Sequence, residues 1–175
     1  MPVITPTGVK VQGNIKVSYV PTLASQSAPT ATEVNAAGSL DISCYLSSEG
    51  WAPSIDNAKG SAPRRLCSKV IYEQFGNTTY SLGDLMYVYN PQGVALSNDM
   101  KAYEKLLPDA AGFFVVRLGS DAISVDFAAT QFVEVWPVRL GQRLPVFDPA
   151  DEFAEFMIQQ AVIVTGARTE RVALT

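Results

Sequence analysis

Residue types that usually carry enzymatic chemistry are scarce in this chain of 175 residues. It contains no histidine, which excludes histidine-based triads and dyads, the helical zinc-protease motif and most zinc and haem sites. It also has no Ser-x-x-Lys motif, no glycine pair with the spacing of a dinucleotide-binding turn, and no P-loop. The sequence therefore argues against an enzyme and indicates no cofactor or metal.

Carboxylates are the one catalytic possibility that remains, because Asp148, Asp151, Glu152 and Glu155 lie close together. The Asp148-Pro149 pair is typical of a capped helical start, where acidic side chains complement the helix N-terminus. A catalytic or calcium site is the alternative, and it predicts loss of an activity on Asp151→Asn. We favour the capping interpretation, followed by a single helical turn.

Cys44 and Cys67 are the only cysteines, and their spacing matches no metal motif. In a reducing compartment we expect two small buried residues rather than a disulfide.

Composition favours a protein that associates with itself. Charged residues make up 17% of the chain, against about a quarter in an average domain, while 47% of residues are hydrophobic. Low charge beside apolar strand faces fits a surface covered by other copies. A net charge of −4 argues against binding a nucleic-acid backbone. No apolar run reaches about 18 residues and no signal peptide is evident, so we expect no membrane span and synthesis in the cytoplasm.

Hydrophobic periodicity predicts strands almost throughout, with one helix. The segments that read as strands are 9–19, 39–46, 66–75, 84–90, 112–118, 122–127, 131–140, 156–165 and 170–174. The helix is predicted over 98–107, with Ser97 or Asn98 as its cap and Pro108 at its end. The expected fold is mainly β: a sandwich or partly open barrel of about eight strands with one flanking α-helix.

Two of these strands, 112–118 and 131–140, are apolar on both faces and must be covered twice. The chain's own helix or second sheet can cover one face. The other face is open to cover by another chain, which points to oligomerisation without proving it. Pro137 cannot donate a ladder hydrogen bond, so the second strand should have an edge or a bulge there.

Two segments read as irregular. Residues 21–32 are rich in Ala, Ser, Thr and Pro and predict a flexible loop or arm. Residues 47–63 predict a long loop, of a length that is usually functional. This loop carries Trp51, which either folds back on its own domain or anchors against a neighbouring subunit.

Several stretches resemble the major tail-tube proteins of long, non-contractile-tailed phages of actinobacteria. In chain order these are Arg-Leu-Cys at 65–67, Leu-Met-Tyr-Val-Tyr-Asn-Pro-Gln-Gly at 85–93 before a short helix, Val-Trp-Pro-Val-Arg-Leu-Gly-Gln at 135–142, the acidic 148–152, and Gln-Ala-Val-Ile-Val-Thr-Gly at 160–166. The likeness lies in their order and spacing, which cover most of residues 39–166.

That resemblance implies a single tail-tube domain over residues 1–175. Six copies would close a ring with a β-barrel lumen, and rings would stack along a tape-measure protein into a tube. Tail-terminator and tail-tip proteins would be further partners. Phage DNA would pass through without specific binding. The chain would be part of the virion tail and would be assembled in the host cytoplasm, without a membrane.

The resemblance also implies roles for particular segments. Residues 47–63 would form an inter-subunit loop, and 9–19 and 166–175 would be arms. The inter-subunit contact candidates are Trp51, Pro53, Ile55, Arg64, Arg65 and Trp136. The lumen-facing candidates are Asp41, Ser43, Lys69 and Glu73.

Two alternatives remain open from the sequence. A tail-terminator or neck protein of the same fold would form one ring without polymerising. A ligand-binding β-barrel would stay monomeric and bury Trp51 and Trp136 in a cavity.

Overall fold

A computed structural model describes residues 5–119 and 123–175, which contain nine strands and two short α-helices. The strands are β1 Ile15–Val20, β2 Leu40–Asp41, β3 Ser54–Ser61, β4 Glu73–Ser81, β5 Leu85–Val88, β6 Ala111–Leu118, β7 Phe132–Val146, β8 Met157–Val164 and β9 Thr169–Ala173. The helices are α1 Ala31–Val34 and α2 Lys101–Lys105, which follows a 3₁₀ turn at Asn98–Met100. The mainly β fold class is confirmed.

Seven strands form one sheet in the order β2-β1-β6-β7-β8-β5, with β9 also paired to β7, and every pairing in it is antiparallel. The sheet curls until its two ends approach each other through residues 42–47. At one end the Ile42 amide donates to the Val17 carbonyl. At the other end Ser47 donates to Met86, and Val88 donates to Tyr45. The result is a half-barrel whose β5 edge is covered by the chain itself.

The concave side of the sheet holds the larger core. Its fully buried side chains include Tyr87, Phe114, Trp136, Leu140 and Ile158. A second, smaller core lies on the opposite face of β1, β6 and β7. That core consists of Val20, Leu23, Val34, Val115, Phe127, Val133, Val135 and Leu174. The middle parts of strands β6 and β7 are therefore covered on both faces, as their sequences required.

The chain itself supplies the second cover over the middle of β6 and β7, where the sequence had left cover by another chain open. Residues 21–32 lead into α1 rather than forming a free arm. Leu23 is buried, and Thr30 and Glu33 form a reciprocal capping box at the start of α1. The C-terminal residues also lie on the body, because β9 pairs with β7 and Leu174 is buried.

The predicted strand at 122–127 is not observed: residues 123–128 form turns and an irregular segment, and residue 122 lies outside the described residues. Two cations hold this segment. The Lys16 ammonium donates to the Val125 carbonyl at 2.9 Å, and Arg117 donates to the Asp126 carbonyl at 3.1 Å. Both cations also lie 5.4 Å from the centre of the Phe127 ring. Side-chain contacts replace the strand pairing that alternation alone predicted.

Other boundaries also differ from the sequence prediction. The strand predicted over 9–19 begins only at Ile15, and the strand predicted over 39–46 is reduced to β2. The predicted 98–107 helix is confirmed as the 3₁₀ turn followed by α2, in which Ala102 is buried. Among the described residues, no helix has the length and apolarity to cross a membrane.

Pro137 lies inside β7 without disrupting it. Its carbonyl accepts a hydrogen bond from the Thr165 amide, so its backbone points toward the connection between β8 and β9. There β7 changes partner, from β9 at Val135 to β8 at Val138. On this side β7 has no paired strand residue opposite position 137, so the missing N–H of Pro137 removes no hydrogen bond between strands. This explains how proline fits an internal strand.

Candidate assembly surfaces

Strands β3 and β4 form a two-stranded hairpin, here called the arm (residues 54–81). It occupies much of the predicted 47–63 loop, so the expectation of an irregular loop there is wrong. All eight β3 residues are exposed, and so are the residues of β4 except Tyr80. A ribbon exposed on both faces has no face packed on the body. At the usual strand rise, eight residues extend it by roughly 25 Å.

The base of the arm is fixed to the body by aromatic contacts. Tyr80 packs edge-on against Trp136 at 6.3 Å between ring centres, and Trp51 packs edge-on against Phe114 at 5.5 Å. The backbone of Gly50 lies so close to the Met86 carbonyl that a β-carbon would overlap it. The arm therefore leaves the body from a rigid point.

The outer end of the arm is both apolar and basic. The turn between its strands, residues 62–72, is called the arm tip. The tip contains Arg64, Arg65 and Lys69 but no acidic residue. Leu66, Val70, Ile71 and Tyr72 of the tip and Phe75 of β4 are exposed. A monomer seldom leaves so many large apolar side chains together in water, which marks the tip as a contact surface.

A second exposed apolar surface lies in the connection between β7 and β8, residues 147–156, called the acidic loop. It contains Asp148, Asp151, Glu152 and Glu155 but no basic residue. Phe147, Phe153 and Phe156 of this loop are exposed, and the rings of Phe147 and Phe156 lie 5.5 Å apart.

The acidic loop is built from turns rather than from a helix. Asp148 accepts a hydrogen bond from the Ala150 amide at 2.9 Å, and Asp151 accepts one from the Phe153 amide at 3.0 Å. These two aspartates fold the loop locally by mimicking backbone turns. The predicted helical turn after Asp148 is thus wrong in its geometry. The Asp148 and Asp151 carboxylates nevertheless accept hydrogen bonds from nearby backbone amides, which is the kind of local contact that the capping interpretation assigned to them.

The base of the arm and the acidic loop lie at opposite ends of the body. Strand β5 follows the arm, starts at Leu85 opposite Gln160 of β8 and ends at Val88 opposite Met157. The acidic loop begins directly after Val146, whose partner on β8 is also Met157. The arm base contacts Trp136, ten residues before Val146, or roughly 30 Å along β7.

Four of the six predicted contact candidates, Pro53, Ile55, Arg64 and Arg65, lie in exposed positions at the base of the arm, on β3 and at the tip. Trp51 is half-buried against Phe114, which matches the interpretation that it folds back on its own domain. This packing also differs from the cavity position that a ligand-binding barrel would give it.

Trp136 is 1% exposed and belongs to the larger core, so it has no surface to offer a neighbouring subunit. Its ring is covered by the Arg168 guanidinium at 5.5 Å, and its indole N–H donates to Glu134 at 3.4 Å. Arg168 in turn pairs with Glu134 at 3.0 Å. A tryptophan flanked by alternating apolar residues was the sequence signal for a core position.

The four lumen candidates do not form one surface. Asp41 and Ser43 lie at the β2 edge of the body, where Asp41 pairs with the Lys16 ammonium at 3.3 Å and accepts a hydrogen bond from the Ser43 amide. Lys69 lies in the arm tip, and Glu73 starts β4.

Both cysteines are exposed, so the expectation that they are buried is wrong. Cys44 lies in the turn after β2, and Cys67 lies in the arm tip. Each side chain is a free thiol.

Perturbed ionisable groups in the described residues have structural causes. Burial raises the pKa of the Tyr87 phenol. A hydrogen bond from Asn90 lowers the pKa of the Asp99 carboxyl, and one from the Ala24 amide lowers that of Glu33. Over residues 5–119 and 123–175, no cluster of His, Cys, Asp or Glu is arranged to hold a metal ion. The exposed arm and acidic loop, rather than a reactive pocket, are the distinctive surfaces.

A curled β-body with an unpacked ribbon and a second apolar loop defines a subunit of a larger assembly. The sequence profile described as "Phage tail tube protein" matches residues 3–174, nearly the whole chain. The chain belongs to the phage tail tube protein family. It is a structural component of the virion tail, and members of this family assemble into a multimeric tube with other tail proteins. No curated protein matches the chain.

Proposed function

We propose that this chain closes into hexameric rings that stack into a hollow tube, through which phage DNA is delivered. The observation that carries this proposal is the arm, a ribbon exposed along both strands with an apolar tip. An isolated two-stranded hairpin is only marginally stable in water, so this one needs a partner surface. In a tail tube protein that partner is another copy.

Two heterologous contacts are enough to build such a tube. One closes by rotation into a ring, and the other repeats along the axis. We assign the arm, with Pro53, Ile55, Arg64 and Arg65, to contacts between subunits. Trp51 supports it from the base, and Trp136 is assigned to the core rather than to the interface.

The acidic balance suits a conduit for DNA. Six copies at −4 carry −24 per ring, and negative charge at the lumen would repel phosphate so that DNA slides. Asp41 and Ser43 on the body are our lumen candidates. Lys69 and Glu73 lie in the arm rather than on the body, so they are less suited to line the channel. A tape-measure protein inside the tube, and terminator and tip proteins at its ends, complete the proposed set of partners.

Imaging the purified chain tests this proposal. Negative-stain microscopy across a concentration series should show tubes of constant diameter, and top views should show six-fold rings. Isolated rings that never stack would instead indicate the terminator alternative. A monomer at every concentration in light scattering would overturn the assembly proposal.

A further inference from the structure

We infer that the arm tip of one copy docks on the acidic loop of the next copy along the tube. This inference rests on the proposed stacking of rings and names both halves of the axial contact. It commits to a second copy of this chain as the occupant of the acidic loop.

Charge complementarity is the first argument. The arm tip carries +3, from two arginines and one lysine, with no acidic residue between positions 62 and 72. The acidic loop carries −4, with no basic residue between positions 147 and 156. The guanidinium group of an arginine can form two hydrogen bonds with one carboxylate at the same time. Surface patches of opposite charge also orient two partners before they touch.

The apolar side chains of the two surfaces also match. The tip exposes Leu66 fully, and the acidic loop exposes 83% of Phe153. Contact between these groups would remove large apolar area from water on both sides at once. Guanidinium groups also stack on aromatic rings, so Arg64 and Arg65 suit the phenylalanines as well as the carboxylates.

Geometry explains why the contact must join different copies. The arm leaves the body at the Leu85 end of β5, and the acidic loop lies at the Val88 end. Neither surface covers the other within one chain, since both remain exposed. A contact between the tip of an arm that starts at one end of the body and a loop at the other end of a second copy is head-to-tail, and such a contact can repeat without limit.

A charge-swap experiment tests the pairing. The tip variant R64E/R65E/K69E changes the tip from +3 to −3. The loop variant D148N/D151N/E152K/E155K changes the loop from −4 to +2, and asparagine keeps the side-chain oxygens that fold its turns. Each variant alone should lower the pelleted tube fraction by about tenfold or more, because like charges then face each other across the contact.

Combining both sets of substitutions in one chain should restore tubes, because the two surfaces attract each other again. The control K101E/K105E reverses two exposed lysines of α2 and should keep tubes. Normal assembly of either single variant, failure of the combined variant, or loss of tubes in the control would each overturn the inference.

Cys67 in the arm tip provides a direct readout. In a C44S background, A154C adds a thiol to the acidic loop, and a short bismaleimide is applied to assembled tubes. Head-to-tail docking should give a ladder of covalent species well beyond the dimer. The C44S chain without A154C should give no ladder. Tubes that yield no ladder with A154C would contradict the docking.

The two proposals fail differently in these experiments. If the wild-type chain forms no tubes, the proposed function fails. If wild-type tubes form and the charge and cross-linking results are negative, tube assembly stands and only the docking of tip on loop is wrong.

Discussion

The body and the arm follow opposite rules although they are parts of one chain. In the body, β6 and β7 have apolar side chains on both faces, and the chain covers each face with its own segments. In the arm, Phe75 and Tyr72 are 76% and 68% exposed, and no segment of the described chain covers them. The middle of the body covers its own apolar side chains, although Leu118, Phe132 and Leu144 of β6 and β7 remain exposed, whereas the arm and its tip expose most of their large apolar side chains together.

This difference locates the oligomerisation signal. Strands apolar on both faces first suggested self-association, but the middle of those strands is covered by the chain itself. The arm tip and the acidic loop are exposed apolar clusters that also carry charge of a single sign. The general lesson is that strand hydrophobicity reports burial, and only the tertiary structure shows whether the cover comes from the same chain.

Removing the arm is the most direct test of whether it serves assembly rather than the stability of the body. Replacing residues 58–77 with Asn-Gly joins the paired residues Asn57 and Thr78 through a two-residue hairpin turn. We expect assembly to be lost while the unfolding free energy changes by no more than about 1 kcal/mol, because these residues add nothing to either core. Light scattering and denaturant unfolding measure the two effects. A large loss of stability would show that the arm supports the body.

Matched aromatic truncations sharpen the contrast. Trp136→Ala removes a fully buried ring and should cost about 3–5 kcal/mol of unfolding free energy. Phe75→Ala on the arm should cost no more than about 0.5 kcal/mol, yet it should reduce tube formation. Denaturant unfolding measures the cost of Trp136→Ala in the chain whose residues 58–77 are replaced by Asn-Gly, and the cost of Phe75→Ala in dilute monomer. Under these conditions assembly does not contribute to the measured unfolding free energy. Equal costs for the two changes would mean that the arm ring is covered within the monomer.

A smaller effect is expected from the buried hydrogen-bond network. The Tyr87 hydroxyl donates to Gln160 at 3.1 Å, and Gln160 donates to the carbonyls of Leu106 and Gly141. Tyr87→Phe leaves a buried acceptor unpaired and should cost about 1–3 kcal/mol. Tyr72→Phe on the exposed arm is the matched control and should change stability by less than about 0.5 kcal/mol. Thermal melts of both variants test this, and an equal shift would refute it.

The smallest effect concerns the segment that covers the second core. Glu33 accepts hydrogen bonds from the Ala24 amide and from Thr30, which lower its pKa below the ordinary value of 4.5. A depressed folded-state pKa contributes stability above the unfolded value, and this contribution is lost as the pH falls through the folded pKa.

Glu33→Gln should therefore lower the melting temperature slightly at pH 7. The difference from wild type should shrink as the pH falls below 4.5. Melts across a pH series measure it, and a gap that widens in acid would contradict the assigned cause.

Local signals made the sequence predictions that succeeded. The helix was located by its periodicity and by Pro108, and β6 by its continuous apolar run. Predictions failed where partners distant in sequence decide the outcome. Alternation at 123–127 gave way to clamping by Lys16 and Arg117, and the polar run at 54–61 became a strand through pairing with β4.

The assembly surfaces were only partly predictable. The sequence placed Arg64 and Arg65 among the contact candidates, but it read the apolar tip residues as part of a strand. It also read the acidic residues 148–155 as a helix start. Their exposure could not be derived, because a strand pattern and an exposed apolar patch have the same composition.

The sequence by itself determined the class of this protein: β-rich, without the residues for common catalysis, acidic, and similar to tail-tube proteins. Those properties depend on composition, on short local patterns and, for the resemblance, on the order of such patterns along the chain. The tertiary structure alone decided that Trp136 lies in the core, that Cys44 and Cys67 lie at the surface, and that the arm stands free of the body. Burial depends on which distant segments meet in space, and a periodic pattern does not record that.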